Sequence, residues 1–205
     1  MGAWISDPAE IYRQSFATIR AEADLARMPT DLADLAVRVV HACGMTDIAA
    51  DLAWSEGAGQ AGAEALRRGA PILVDAEMVA HGIIRRNLPA DNRVICTLNE
   101  VTQAEAKAAS TTRSALGVEK WLPHLGGAVV AVGNAPTALF RLLELVEAGA
   151  PRPAVILGFA VGFVGAVESK DALIASGLPH VALKGRRGGS AMAAAAVNAL
   201  AGGLK

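Results

Sequence analysis

Ala128-Val129-Val130-Ala131-Val132 is an unbroken apolar run, followed at once by Gly133-Asn134-Ala135-Pro136-Thr137 and a helix-forming stretch that ends at residue 147. A strand buried on both faces reads this way, because neither side meets solvent. Glycine turns the chain, and Pro136 opens the helix at a position where its missing N–H is not needed. The same order recurs along the chain. Short apolar runs at 72–74, 94–98, 155–157 and 181–183 alternate with helical stretches near 76–81, 102–110, 113–122, 169–175 and 190–200. Such alternation predicts βαβ units, and so an α/β fold. The expectation is a single domain over residues 1–205, with a mostly parallel five-stranded sheet flanked by helices.

The N-terminal third lacks these runs and reads as a helical elaboration. Asp7-Pro8-Ala9-Glu10 supplies an N-cap, a first-turn proline and a glutamate three residues after the cap. Ile11, Phe16, Ile19 and Ala23 follow at helical spacing. A second helix is predicted from Thr30 to Cys43, ended by Gly44, and a third over 59–68, ended by Gly69.

Composition narrows the function classes. With 53% hydrophobic and 19% charged residues the chain folds around a core, and with only 4% aromatics that core is aliphatic and closely packed. The formal net charge of −1 removes the electrostatic case for nucleic-acid binding. The longest apolar run, 153–167, is glycine-interrupted and shorter than the roughly 20 residues that span a bilayer. Residues 1–7 show no basic region followed by an apolar one, so a cytoplasmic protein without a signal peptide or membrane association is expected. Cys43 and Cys96 lack metal-ligand spacing and are expected as reduced, buried thiols.

In a parallel sheet, ligands bind beyond the carboxyl ends of the strands, where the strand order reverses. The polar residues there are Asp75, Glu77, Asn99, Glu100, Asn134, Thr137 and the stretches 162–168 and 185–190. Gly158, Gly162 and Gly165 do not form a dinucleotide fingerprint, and Lys170 does not belong to a P-loop. Gly133-Asn134-Ala135-Pro136-Thr137 and Arg186-Arg187-Gly188-Gly189-Ser190 both open helices, where free N–H groups favour an anion. Together with nearby arginines they point to a polyanionic small molecule, although each also reads as simple capping.

His41 is the main candidate for chemistry. Leu32, Leu35, Ala36, Val39 and Cys43 form the apolar face of its helix, while Arg38 and His41 share another face. Carbonyls of the last turn favour the imidazolium, and Arg38 opposes it. A purely structural histidine fits the same pattern. His81 lies four residues after Glu77 without a zinc motif, and His124 and His180 read as peripheral.

Six segments then carry a resemblance. They are Val39-Val40-His41-Ala42-Cys43-Gly44; Ile72-Leu73-Val74-Asp75-Ala76-Glu77-Met78-Val79-Ala80-His81-Gly82; Thr112-Arg113-Ser114-Ala115; Val132-Gly133-Asn134-Ala135-Pro136-Thr137-Ala138-Leu139; Gly162-Phe163-Val164-Gly165-Ala166-Val167-Glu168-Ser169-Lys170; and Arg187-Gly188-Gly189-Ser190-Ala191-Met192. In this order, from about Tyr12 to Leu200, the chain resembles the precorrin-8X methylmutase family. The resemblance implies isomerisation of precorrin-8X to hydrogenobyrinic acid by moving a methyl group from C11 to C12, without metal or organic cofactor. It further implies a homodimer with the macrocycle near the subunit interface, and neighbouring pathway enzymes as further partners. The family's catalytic histidine falls on His41, its substrate-contacting serine on Ser15, and the arginine of its T-R-S motif on Arg113. The H-A-C-G and A-E-M-V-A-H segments resemble the aerobic, metal-free branch more closely. Carboxylate partners are expected among Arg13, Arg20, Arg38, Arg113 and Arg186, with Thr112, Asn134 and Ser190 adding hydrogen bonds. A non-catalytic corrinoid-binding or delivery protein is the rival reading, and a generic enzyme of phosphorylated metabolites is a second. Removal of the His41 imidazole separates carrier from mutase.

Overall fold

The computed structural model describes residues 4–202; Met1, Gly2 and Ala3 of the signal-peptide reading lie outside the described residues. Two helices come first, α1 (Pro8–Glu22) and α2 (Thr30–Cys43). Asp7 caps α1 by accepting the Ala9 N–H at 3.1 Å. Gly44 ends α2 in the left-handed region at φ 71°, where any other residue would be strained, and donates its N–H to the Val40 carbonyl. Six strands follow: β1 (Leu52–Trp54), β2 (Ile72–Val74), β3 (Val94–Cys96), β4 (Val129–Val132), β5 (Val155–Gly158) and β6 (His180–Leu183). Helices α3 (Ala58–Arg67), α4 (Glu77–Gly82), α5 (Gln103–Ala108), α6 (Arg113–Glu119), α7 (Pro136–Glu147), α8 (Ala166–Ala175) and α9 (Ser190–Gly202) alternate with them. Among the described residues no helix is long and apolar enough to cross a membrane.

The strand order is β1-β6-β5-β4-β2-β3, which makes the sheet six-stranded rather than five-stranded. Strands β6, β5, β4, β2 and β3 are parallel and coincide with the apolar runs. The added strand, β1, pairs antiparallel at the edge, with Leu52 opposite Leu183 and Trp54 opposite Val181. Three residues carry no period, so only pairing with β6 reveals Leu52-Ala53-Trp54 as a strand.

Side-chain alternation divides the core into two layers. Ile72, Val74, Val129, Ala131, Val155 and Leu157 face α2, α3, α4 and α9, whereas Leu73, Val130, Val132 and Ile156 face α6, α7 and α8. Helix α9 is buried along nearly its whole length, from Met192 to Asn198, between the sheet and helices α2, α3 and α4. Its alanines allow that depth. A Cβ on Gly82 of α4 would stand only 2.6 Å from the Ala194 Cβ. Buried Asn198 accepts the Ile84 N–H and donates to the Gly82 carbonyl, so the end of α4 is satisfied from α9.

The chain passes from β2 to β3 on one side and then to β4 on the other, so the order reverses between β2 and β4. Asp75, the residue after β2, spans this point. Its carboxylate accepts the N–H groups of Gly133, Asn134 and Ala135 at 2.8, 2.9 and 2.6 Å. A Cβ on Gly133 would lie 2.8 Å from both the Ala193 Cβ and the Ser190 Cα, so only glycine fits. The start of α7 is therefore already occupied by the protein's own carboxylate, which corrects the expectation that it awaits a ligand anion.

Asp75→Asn keeps the shape but replaces an acceptor-only group by one that faces donors with donors. It should lower unfolding free energy by about 2–3 kcal/mol, read as a lower urea midpoint at unchanged slope; an unchanged midpoint removes this role.

Candidate active site

Helix α2 buries Leu32, Leu35, Ala36, Val39 and Val40 against the core, which leaves His41 at the side of its last turn, facing α1. Ser15 stands opposite on α1, its hydroxyl 2.8 Å from His41 Nδ1. Tyr12, about one turn before Ser15, and Phe16, the residue after it, place their ring centroids 5.4 and 5.2 Å from the imidazole. Phe16 meets it edge-on at 76°. With Nδ1 engaged, Nε2 is the nitrogen left for a ligand. A cavity of about 270 Å³ opens here, bounded by Ser15, Ile19, Val40, His41, Gly44 and Thr46.

Burial, and then the charge of Arg38, lower the His41 pKa below its ordinary value. The expected help from the helix-end carbonyls is thus outweighed, and the resting imidazole is neutral at neutral pH. A polycarboxylate bound beside it acts in the opposite direction and raises the pKa.

The segment after α2 is tied to the loop between β6 and α9. Arg187 donates to Asp47 at 2.5 Å and to Asp51 at 2.6 Å. Its carbonyl accepts Nζ of Lys170, a fully buried side chain whose pKa burial lowers to about 8. Gly188 presses on the preceding loop: a Cβ there would lie 2.2 Å from the Phe159 carbonyl oxygen. Arg187 is thereby committed to the protein, and Arg186 is the outward arginine, its guanidinium carbon 5.6 Å from the Phe163 ring centroid. A second cavity, about 260 Å³, lies here against Met45, Val161, Phe163, Arg186 and Met192. The two cavities flank the end of α2, since Gly44 and Thr46 line the first and Met45 the second. A roomier cavity of about 500 Å³ touches Arg152 and Leu178, which precede β5 and β6, and so belongs to the opposite edge of the sheet.

The remaining expected residues fall elsewhere. Thr112 caps α6 by accepting the Ala115 N–H, and its hydroxyl pairs with that of Thr137 at 2.8 Å. Arg113 is half-buried and donates to the carbonyls of Val101 and Leu98, so its guanidinium anchors a loop with two of its donors. Asn134 is exposed beside Asp75, and Ser190 is buried at the start of α9. Arg13 pairs with Glu10, Arg20 with Asp34, and Arg38 lies half-buried within electrostatic reach of His41. The structure thus joins Ser15 to His41 directly and leaves Thr112, Asn134, Arg186 and Ser190 along the carboxyl edge of the sheet. His81 bonds the Glu77 carbonyl as helix-end behaviour predicts. His180 is not peripheral: it is buried in β6 with Nδ1 2.8 Å from the Leu178 carbonyl oxygen. Both thiols are free and half-buried, and burial pushes Cys96 up to about 11. Tyr12 escaped the sequence reading, although its four-residue spacing to Phe16, with Ser15 on the same face, was the available signal.

Comparison with known proteins places this chain in a family. The family model CbiC, precorrin-8X methylmutase, matches residues 10–202. The precorrin-8X methylmutase of Pseudomonas aeruginosa is 64% identical over 201 residues, 97% of each chain. That of Sinorhizobium sp is 55% identical over 97% of this chain and 96% of its own. The cobalt-precorrin-8 methylmutase of Priestia megaterium is 32% identical over 94% of this chain and 87% of its own. A crystal structure of precorrin-8X methylmutase from Thermus thermophilus superposes with a TM-score of 0.85 at 37% identity, covering 94% of both chains. With the model and these relatives matching from α1 to α9, the chain belongs to the precorrin-8X methylmutase family.

Proposed function

We propose that this chain isomerises precorrin-8X to hydrogenobyrinic acid, with His41 as the acid–base residue and Ser15 as the group that orients it. The observation that carries this reading is the Ser15–His41 hydrogen bond at the mouth of a cavity, between two aromatic rings. Substrate and product are isomers: the C11–methyl bond breaks, the C12–methyl bond forms, and no external donor is needed. A proton given by Nε2 to the conjugated ring and later taken back selects the reactive tautomer. Ser15 fixes which nitrogen faces the ring by occupying the other. Arg38, Arg186, Asn134, Thr112, Ser190 and the outward end of Arg113 are the proposed partners of the substrate's carboxylates and polar groups, and Met45 and Val161 meet the apolar ring.

The metal-free substrate is favoured over its cobalt-bearing counterpart by the pattern of relatives. The two at 64% and 55% identity are named precorrin-8X methylmutases, whereas the cobalt-precorrin-8 methylmutases considered lie at 30–37%. A homodimer in the cytoplasm, handing product to neighbouring pathway enzymes, belongs to the same proposal. Exposed Trp4, Ile5, Ile11 and Tyr12 support a subunit contact beside His41.

An absorption time course with precorrin-8X tests the assignment. His41→Ala should reduce kcat by about 10²–10⁴-fold while still binding hydrogenobyrinic acid; a variant that turns over at the wild-type rate ends His41's role. Ser15→Ala removes one neutral hydrogen bond worth about 1 kcal/mol, so kcat should fall roughly fivefold with little change in KM.

The lowered His41 pKa sets a sign for pH. The acid form is the proton donor, so activity is present below the His41 pKa and is lost as pH rises through it. In kcat/KM, which reports the free enzyme, that loss should centre below the ordinary histidine value of about 6.5. In kcat it should move upward, because the bound carboxylates favour the imidazolium. Coincident profiles would exclude substrate-induced protonation.

A further inference from the structure

We propose that Phe163 and Arg186 form a clamp for the substrate macrocycle, the phenyl ring lying on its apolar face and the guanidinium meeting a peripheral carboxylate. This rests on the methylmutase reading above and names the part of the site that grips the ring.

Phe163 and Val164 are 87% and 88% exposed, at the tip of the loop that follows β5. The base of that loop is held firmly. Gly162 donates its N–H to the Arg186 carbonyl at 3.2 Å, Gly189 donates to the Phe159 carbonyl at 2.8 Å, and Gly188 packs on the same carbonyl. Gly162 at φ 139° and Gly165 at φ 76° turn the chain out and back between these anchors. A fixed base with an apolar tip in water is the arrangement of a preorganised contact surface.

Charge around this loop selects the occupant. Arg187 is neutralised by Asp47 and Asp51, but among the described residues no carboxylate pairs with Arg186. Its cation lies over one face of the Phe163 ring, so the pair presents the opposite apolar face and a positive charge together. A wide apolar ring edged with carboxylates complements both. The adjacent cavity shares the end of α2 with the His41 cavity. At about 260 and 270 Å³, each is smaller than the roughly 300–1,000 Å³ typical of a whole ligand pocket. One ring that spans both is gripped at Phe163 and protonated at His41.

The test titrates hydrogenobyrinic acid, followed by its absorption, into full-length wild type, Phe163→Ala, Arg186→Gln and His41→Ala, with sedimentation of each. Both exposed positions tolerate substitution without loss of the core. Phe163→Ala and Arg186→Gln should each raise Kd by about tenfold to a hundredfold, the loss for an aromatic contact or a charge-assisted pair. The losses at Phe163 and Arg186 should be alike at pH 6 and pH 8, whereas any loss in His41→Ala should grow as pH falls, because only that variant removes the imidazolium; sedimentation should not change. Wild-type affinity in the Phe163 and Arg186 variants overturns the clamp alone. A Phe163 variant that dissociates into smaller species assigns the loop to a contact between copies and also overturns it. Wild type that fails to bind the product sinks the methylmutase reading together with the clamp.

Discussion

One buried carboxylate organises this molecule. Asp75 closes the gap where the strand order reverses, by accepting three consecutive N–H groups at the entrance to α7. Burial holds its carboxyl above the usual carboxylate range, and the three donors oppose that rise by favouring the charged form. A charge buried without partners would cost far more than any single contact gains, so the β2 and β4 ends are locked to one another. The usual crevice for a ligand is thereby filled from within. Helix α9 begins beside it, close enough that Gly133 has no space for a side chain. The proposed site lies to the side, at the end of α2 and the loops after β5 and β6.

His41 owes its place to that displacement. Alanine-rich α9 lets α2 pack closely on it, and the apolar stripe of α2 then sets which way its last turn faces. The imidazole lands against α1, half-buried, with a serine on one nitrogen and aromatic rings on its flanks. Burial and Arg38 keep it neutral at rest. A neutral imidazole suits the proposed role, in which a polyanionic ligand supplies the field that protonates it. On the proposed reading, binding and activation are then the same electrostatic event.

Much of the fold was legible because a doubly covered parallel sheet imposes a simple pattern. The runs that became β2 and β4 have no polar residue to confuse the reading, and Gly44 announced the end of α2 through its conformational freedom. Strand β1 was not legible, since Leu52-Ala53-Trp54 is defined by pairing with β6 rather than by any local period. The site divides in the same way. His41 and Arg38 share a face by local spacing, but Ser15 is 26 positions from His41, and only the packing of α1 on α2 joins them. The family resemblance, not the spacing, singled out Ser15. Asp75 counts among the candidates at the strand ends because it follows a strand; it faces backbone donors instead, a distinction that depends on where β4 lies. The balance at His41 was likewise closed to sequence, because burial is a property of the folded surroundings.

The two small cavities acquire meaning from the wall between them. Gly44, Met45 and Thr46 separate the His41 cavity from that of Phe163 and Arg186. Asp47, the next residue, is held by Arg187, whose carbonyl is in turn held by buried Lys170. Each link reaches a different element, from the segment after α2 to the loop before α9 and then to α8. A shift of that wall would enlarge one cavity at the expense of the other and change the angle at which His41 meets a ring spanning both. Proton transfer tolerates little such error, since donor and acceptor must come within hydrogen-bond reach. The ammonium of Lys170 is costly to bury, and its bond to the Arg187 carbonyl offsets that cost while holding the loop whose arginine in turn holds Asp47.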